Sequence, residues 1–292
     1  MVGLISDENL LTMLRKHLQV VRTLSRRYSH GLANENPGLA TKYLRQYLAS
    51  GFNKQTRRDI LEFHYGYLEG HVVDDFSTVI REEPLLWWHE GEHCTCSIRL
   101  SFNELDHREG DLSLVFFVGD IYLYEMSFTL APGSAIGASA KAAMLIARVQ
   151  GAKDRFDDIR MVTKDCGDIP PQLLLATVAF RIAETLNIDL VCGVSNGEQL
   201  WNKDKAVLFN YDAFWEKFEA RKNGRGFFEI PIPYMQKPLD QVSATHRRRT
   251  RLKRELKARA AQVAGDNFRD KYLRSRPAGT ATQGISGGPA IA

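Results

Sequence analysis

The chain has 292 residues, of which 44% are hydrophobic and 25% charged, with a formal net charge of +4. These proportions belong to an ordinary globular protein of one large domain or two small ones. No apolar run approaches the ~18–20 residues that cross a bilayer, and the four cysteines are too few and too scattered for a disulfide framework. The positive charge is concentrated in RRRTRLKRELKAR, from Arg247 to Arg259, which holds eight Lys or Arg against one Glu and leaves 31 basic against 34 acidic residues elsewhere. Such a local run is unlike a nucleic-acid-binding surface spread over a whole fold.

The first thirty residues lack a signal peptide's basic start, apolar middle and small-residue cleavage site, so a cytoplasmic location is expected. They predict a helix over about 8–28, with Leu10, Leu11, Leu14, Leu18 and Val21 on one stripe. A second helix is expected in GLATKYLRQYLASG, ended by Gly51, and a third in NKQTRRDILEFHYGYLEGH, with Ile60, Leu61, His64 and Leu68 on one face. An extended region follows, holding Trp87 and Trp88 and then CTCSIRLSF, in which Cys96, Ile98, Leu100 and Phe102 alternate. Cys94 and Cys96, with His89 and His93 before them, lack a standard zinc spacing, so free thiols are expected and no metal site.

NELDHREG is a turn, and DLSLVFFVGD and IYLYEMSFTLA are two apolar strands joined at Gly119-Asp120. PGSAIGASAK reads as a loop and KAAMLIARVQG as a strand, while DIRMVTKD fits either a short strand or a turn of helix. Pro170-Pro171 opens the helix QLLLATVAFRIAETLN, and IDLVCGVSN is the strand after it. YDAFWEKFEARKNG predicts an aromatic helix with Asp212 as its cap, FFEIPIPY a last strand, and about 243–264 a basic helix. The fold class expected is α+β: a helical part over 1–84, a mixed and mostly antiparallel body over 85–240, a basic helix within 241–276 and a disordered tail over 277–292.

Several words in this order carry a resemblance: HYGYL at 64–68, EGDLSLVF at 109–116, LIARVQG at 145–151, MVTKDCGDIPPQLLL at 161–175, VSN at 194–196, YDAFW at 211–215 and the Arg-rich segment near 247. Over about residues 10–260 the chain resembles the VirK/YbjX family of bacterial proteins. That resemblance implies a Gram-negative origin and a role in envelope maintenance, virulence and tolerance of antimicrobial peptides, with no reaction attached. The chain departs from the family's strand end, as Ala147 stands where glycine is more usual.

The order of strands and helices from about 98 to 230 is also similar to the GNAT-type acyltransferase fold, a likeness of architecture only. It implies an acyl-CoA or aminoacyl-tRNA donor whose phosphates meet backbone N–H groups at a helix start. On that reading Arg148, Gln150, Gly151, Lys164 and Asn196 hold the donor, and His64, Glu109 and Tyr211 are the candidates for proton transfer. Each has a plainer reading too: Arg148 as a paired strand-edge arginine, Lys164 as a solvated lysine, His64 as a satisfied core histidine and Glu109 as a strand-start carboxylate. Four acids in the stretch KDRFDDIRMVTKD after Gly151 (Asp154, Asp157, Asp158 and Asp165) would repel phosphates unless they point away.

In the basic helix, Leu252, Leu256, Ala260 and Val263 form an apolar stripe. Arg247, Arg248, Arg251 and Arg254 beside it suit an anionic inner-membrane surface. Without aromatic interleaving the segment is a poor RNA binder, tRNA as a donor excepted. Two functions stay open: a transferase acting on an envelope precursor or peptide at the inner face of the membrane, or a non-catalytic lipid- or peptide-binding adaptor.

Overall fold

The computed structural model describes residues 7–103, 107–201 and 209–274, and the expected tail, 277–292, lies outside the described residues. In place of one opening helix there are two, α1 (Asp7–Leu24) and α2 (Arg27–Glu35). The chain breaks between them because Ser25 Oγ bonds back to the carbonyl of Val21 at 2.8 Å and Arg26 is extended. Val20 and Leu24 of α1 enter the core, whereas Leu11, Leu14 and Leu18 of the expected stripe face solvent and Leu10 lies outside the described side chains. The second expected helix is a 3-10 helix over Pro37–Leu44. It ends where the backbone extends at Arg45 to deliver Tyr47 and Leu48 to the interior. The third forms as read: α3 (Lys54–Glu69) starts where the Asn53 side chain accepts from the N–H of Thr56 at 2.8 Å, and Ile60, Leu61, His64 and Leu68 are all buried. A short α4 (Phe76–Arg81) was not expected.

The body is one open, mostly antiparallel sheet of eight strands: β1 (Leu85–Glu90), β2 (Thr95–Phe102), β3 (Leu112–Val118), β4 (Ile121–Pro132), β5 (Ala142–Gly151), β6 (Leu190–Val194), β7 (Arg221–Lys222) and β8 (Phe227–Pro231). Their spatial order is β1-β2-β3-β4-β5-β6-β8-β7, and β5–β6 is the parallel pair. A single-turn α5 (Gly133–Ile136) interrupts the expected loop. DIRMVTKD is no strand but most of α6 (Phe156–Asp165), whose acidic first turn and Lys164 in the last turn both suit the helix dipole. α7 (Pro171–Thr185) follows, and the parallel crossover from β5 to β6 thus contains two helices. The aromatic helix is cut to α8 (Tyr211–Glu216), and of its remainder Arg221 and Lys222 form β7. Its N-cap is Asn210, not Asp212: the Asn210 side chain accepts from the N–H of Ala213 at 3.1 Å.

α7 lies against β3, β4, β5 and β6. It covers the apolar sheet face made by Leu112, Leu114 and Phe116 of β3 with Met126, Phe128 and Leu130 of β4, all buried. α9 (Arg247–Tyr272) packs on α7 and β1, using Leu256, Ala260, Ala264 and Phe268 at four-residue spacing. Leu252 and Val263 of the expected stripe are exposed instead, because the contact follows the small Ala264 rather than Val263. Buried side chains of the helical front, the sheet and α9 belong to one continuous core.

Where β3 begins, a fully buried polar cluster ties the front to the sheet. Lys42 Nζ donates to Asp111 Oδ1 and to the carbonyl of Gly110, both at 3.0 Å. Tyr47 donates its hydroxyl proton to Asp111 Oδ2, and Thr129 Oγ1 sits 2.7 Å from the same oxygen. Burial alone would raise Asp111, but Lys42, His64 and the two hydroxyls outweigh it and hold the carboxyl at about 2. His64 takes the N–H of Leu130 on Nδ1 at 3.1 Å, beyond the point where β3 stops pairing with β4.

Burial lowers His64 from 6.5 to about 4, with Lys42 adding to the effect and Asp111 opposing it. The unfolded chain therefore binds a proton as pH drops below 6.5, while the folded protein does not until about 4. Stability from this group is complete above 6.5 and is lost on the way down, about 3 kcal/mol in all. His64→Gln, which keeps an acceptor for Leu130, is expected to flatten the difference between urea midpoints at pH 6.5 and pH 4.5. Identical pH slopes in the two proteins would contradict a neutral buried His64.

Candidate functional site

The opposite face of β3–β5 is polar. Ser113 pairs with Ser127, Val115 with Glu125 and Ser127 with Arg148, so these side chains share one face by register. Arg148 reaches it through a bulge: Phe128 pairs with Ile146 but Ser127 with Arg148, so Ala147 is the extra residue. That irregularity is how an otherwise apolar strand presents an arginine to a polar face.

Arg148 stands between two buried carboxylates. Its Nη1 is 3.1 Å from Glu109 Oε2 and its Nε 3.6 Å from Glu125 Oε2. Glu109 Oε1 also accepts from Gln199 Nε2 at 2.5 Å. Glu125 gathers Ser113 Oγ at 2.6 Å, Ser127 Oγ at 2.9 Å and the Tyr122 hydroxyl at 3.2 Å. His107 Nε2 lies 3.0 Å from Glu125 Oε1 as an ion-pair contact, off the line of a straight hydrogen bond. The two carboxyls are driven apart. Burial raises Glu109, and Arg148 and His107 only partly offset it. Burial pushes Glu125 up as well, but His107, Arg148 and Ser113 overcome it and hold it at about 2. Divergent carboxyls of this kind separate a group able to exchange a proton from one that stays ionised.

This cluster opens into a cleft of about 400 Å³ lined by Phe102, Asn103, His107, Arg108, Glu109, Arg148 and Trp201. A larger cleft of about 770 Å³ lies where α3, α7 and α9 end. Its arginines are spent on carboxylates: Arg181 on Glu184, Arg269 on Asp266 and Arg274 on Asp74, all at 2.7–2.8 Å. The smaller cleft has the less satisfied chemistry.

β5 and β6 pair only from Met144 to Ile146, although β5 continues to Gly151. Past that point the N–H of Val149 donates to the Tyr211 hydroxyl at 3.2 Å. Tyr211 is held there by its own N–H, which donates to Asn196 Oδ1 at 2.8 Å, while the N–H of Asn196 donates to Asp212 Oδ1 at 2.7 Å. Trp215 Nε1 donates to the carbonyl of Val194 at 2.9 Å, and a Cβ on Gly193 would fall 2.0 Å from its ring, so the strand must carry glycine. Burial raises the Tyr211 hydroxyl, and Glu109 nearby adds to the effect while Gln199 opposes it. Tyr211 therefore lies close enough to Glu109 to feel its charge.

The residues singled out in the sequence divide into separate places. Glu109, Arg148 and Tyr211 come together, with Asn196 positioning Tyr211. His64 is in the Lys42–Asp111 cluster, wholly buried. Gln150 is exposed at the end of β5, and Gly151 packs so tightly on Tyr124 that a Cβ would be 2.8 Å from its ring. The amide following Gly151 is used by the carbonyl of Leu123 at 2.8 Å, and α6 separates this corner from the start of α7. The expected convergence of free amides at both places does not form. Lys164 is grouped by its charge with His93 and Asp168 rather than with Arg148. Asp165 points to the β1–β2 turn, accepting from the backbone of His93 and Cys94, and Asp158 pairs with Arg155. The four cysteines are free, and among the described residues no three ligand-type side chains are placed to hold a metal ion. In α9, Arg247 bonds the carbonyls of Val242 and Asp240, Arg254 is half-buried, and Arg248 and Arg251 are exposed.

Sequence reasoning missed Asn103, His107, Arg108, Glu125 and Gln199. The available signal was YEMSFT, where Glu125, Ser127 and Thr129 alternate with apolar residues and so mark a polar strand face.

Removing Arg148 leaves two carboxyls buried without their cation. Arg148→Met is expected to cost about 3 kcal/mol at pH 7 in urea unfolding. The loss should be smaller at pH 5 than at pH 7, because burial raises Glu109 and the variant lacks the cation that opposes that rise. An equal loss at both pH values would show that packing, not charge, is what Arg148 supplies.

Among the described residues, no helix is long and apolar enough to cross a membrane. No curated protein and no solved structure matches the chain. A family model described as a protein of unknown function (DUF535) matches residues 9–263, and the chain belongs to that family.

Proposed function

We propose that the chain is a transferase of the acyltransferase kind, with an acyl-CoA or aminoacyl-tRNA donor and an acceptor held in the Arg148 cleft. The observation that carries this reading is the opening in the sheet. β6 leaves β5 after Ile146, and the free edge of β5 offers the N–H of Val149 to a hydroxyl rather than to a strand. The strand order and the splayed parallel pair β5–β6 support a likeness to the GNAT-type fold, by analogy of architecture. A donor carbonyl in that opening would take the place of the Tyr211 oxygen on Val149.

The acid–base groups then have roles. Glu109 accepts the proton of the acceptor's amine or hydroxyl, whose nitrogen or oxygen bonds to the acyl carbon. The bond from that carbon to the donor's sulfur or ester oxygen breaks, and the Tyr211 hydroxyl supplies the leaving group's proton. Glu125 stays ionised and keeps Arg148 in place. His64 and Lys164 take no part. The resemblance to VirK/YbjX proteins supports an envelope precursor or peptide as acceptor, with the chain at the cytoplasmic face of the inner membrane. The exposed Arg248 and Arg251 are available to anionic lipid there.

A second reading rests on one observation: Tyr211, Phe214 and Trp215 of α8 are buried beside the splayed strands. A filled opening suits a non-catalytic lipid- or peptide-binding adaptor. Incubation with acetyl-CoA, a long-chain acyl-CoA or aminoacyl-tRNA, followed by thermal shift and mass analysis of released carrier, separates the two. The transferase should be stabilised by one donor and turn it over, and Glu109→Gln should slow release about 100-fold or more while donor affinity stays within a few-fold. Neither stabilisation nor turnover with any of the three would leave the adaptor.

A further inference from the structure

The mouth of the cleft holds polar groups that nothing among the described residues satisfies. Arg108 has no carboxylate partner among the described residues; its guanidinium lies over the Trp201 ring at 5.9 Å. His107 leaves Nδ1 buried and without a hydrogen-bond partner. Asn103, 94% buried, fixes one end of its amide on Ser113 Oγ at 2.8 Å, and the other end is unpartnered. All three line the same cavity as Glu109 and Arg148. Farther in, the one guanidinium of Arg148 is shared by two carboxylates, Glu109 and Glu125. At the mouth, Arg108 adds a positive charge that no carboxylate among the described residues offsets. Unsatisfied buried donors beside an unpaired guanidinium are the features of a site completed by its ligand.

We infer that the molecule entering this cleft carries an oxyanion, a carboxylate or a phosphate, which docks on Arg108 beside the unpartnered Nδ1 of His107, with a flat part of the molecule on Trp201. Asn103 takes a polar atom next to that group. The reactive amine or hydroxyl is then directed inward toward Glu109, away from the charge that anchors it. Glu125 sets a limit on depth. Ionised and saturated with donors, it repels a second anion, so the oxyanion stays at the mouth and does not reach Arg148. The inference rests on taking the cleft as the acceptor site, but it concerns binding alone and needs no donor.

Binding is measured by quenching of tryptophan fluorescence and by two-dimensional NMR of the indole N–H groups, in the full chain without donor. The probes are benzoate for the carboxylate, phenyl phosphate for the phosphate and benzyl alcohol as the uncharged control. At least one anion should bind more tightly than benzyl alcohol by about tenfold or more, weaken with added salt and shift the Trp201 indole resonance. Arg108→Ala should remove that advantage, and Arg108→Lys should restore part of it. Phenyl phosphate alone binding assigns phosphate, and benzoate alone assigns carboxylate. Equal binding of all three probes, or an anion preference unchanged in Arg108→Ala, would overturn the inference. An anion that binds as expected in a protein that transfers nothing would leave it standing and remove only the transferase reading.

Discussion

Three carboxylates, Glu109, Asp111 and Glu125, are withdrawn from water around β3 and β4, and two cations, Arg148 and Lys42, hold them. Taking a carboxylate into a protein costs several kcal/mol unless charge and hydrogen bonds replace its water. Each feature of the site follows from how that cost is met. Glu109 and Asp111 are two residues apart, yet they face different clusters. Asp111 meets Lys42, Tyr47 and Thr129 and is satisfied completely, which fastens the helical front to the sheet. Glu109 meets half of a shared arginine and one amide, which leaves it poorly compensated beside a cleft.

The contrast separates structure from chemistry within one short stretch of chain. Glu125 is ringed by Ser113, Ser127, Tyr122, His107 and Arg148 and has no reason to change its charge. Glu109 has fewer partners and more burial against it, so it is the carboxyl held above its ordinary range. Tyr211 lies near enough to feel the charges of Glu109 and Arg148, and Asn196 and Asp212 hold it at the end of the parallel pair. The backbone gap, Tyr211 and the Arg148 cluster thus belong to one unit, in which α8 fixes the tyrosine and the bulge at Ala147 aims the arginine.

Periodicity made most of the fold legible before the coordinates: the α3 face of Ile60, Leu61, His64 and Leu68, the hairpin at Gly119-Asp120, and the Pro-started α7 all formed as read. Local interactions decided the misses. Ser25 bonding to Val21 split the first helix, Tyr47 reaching for Asp111 ended the second early, and dipole-matched charges made α6 a helix where a strand was an equal reading. In the site, Arg148, Glu109, Tyr211 and Asn196 stood out as polar residues in apolar or turn contexts. Lys164 did too, but α6 carried it to another edge of the molecule. His107 and Arg108 could not be read, because a turn gives no period and their neighbours come from β4, β5 and the segment at Trp201. Alternation in β4 did mark Glu125, and it was masked by the strand's apolar neighbours.

The unequal satisfaction of Glu109 and Glu125 is the claim that the functional account cannot do without. Titration of the two side-chain carboxyl carbons by NMR, with Glu109→Gln and Glu125→Gln for assignment, measures it directly. The account predicts that Glu125 remains ionised down to about pH 2, while Glu109 takes up its proton above the usual glutamate range. Two carboxyls titrating together near the ordinary value would mean that the cleft is a solvated surface ion pair, and no acid–base role would remain for it.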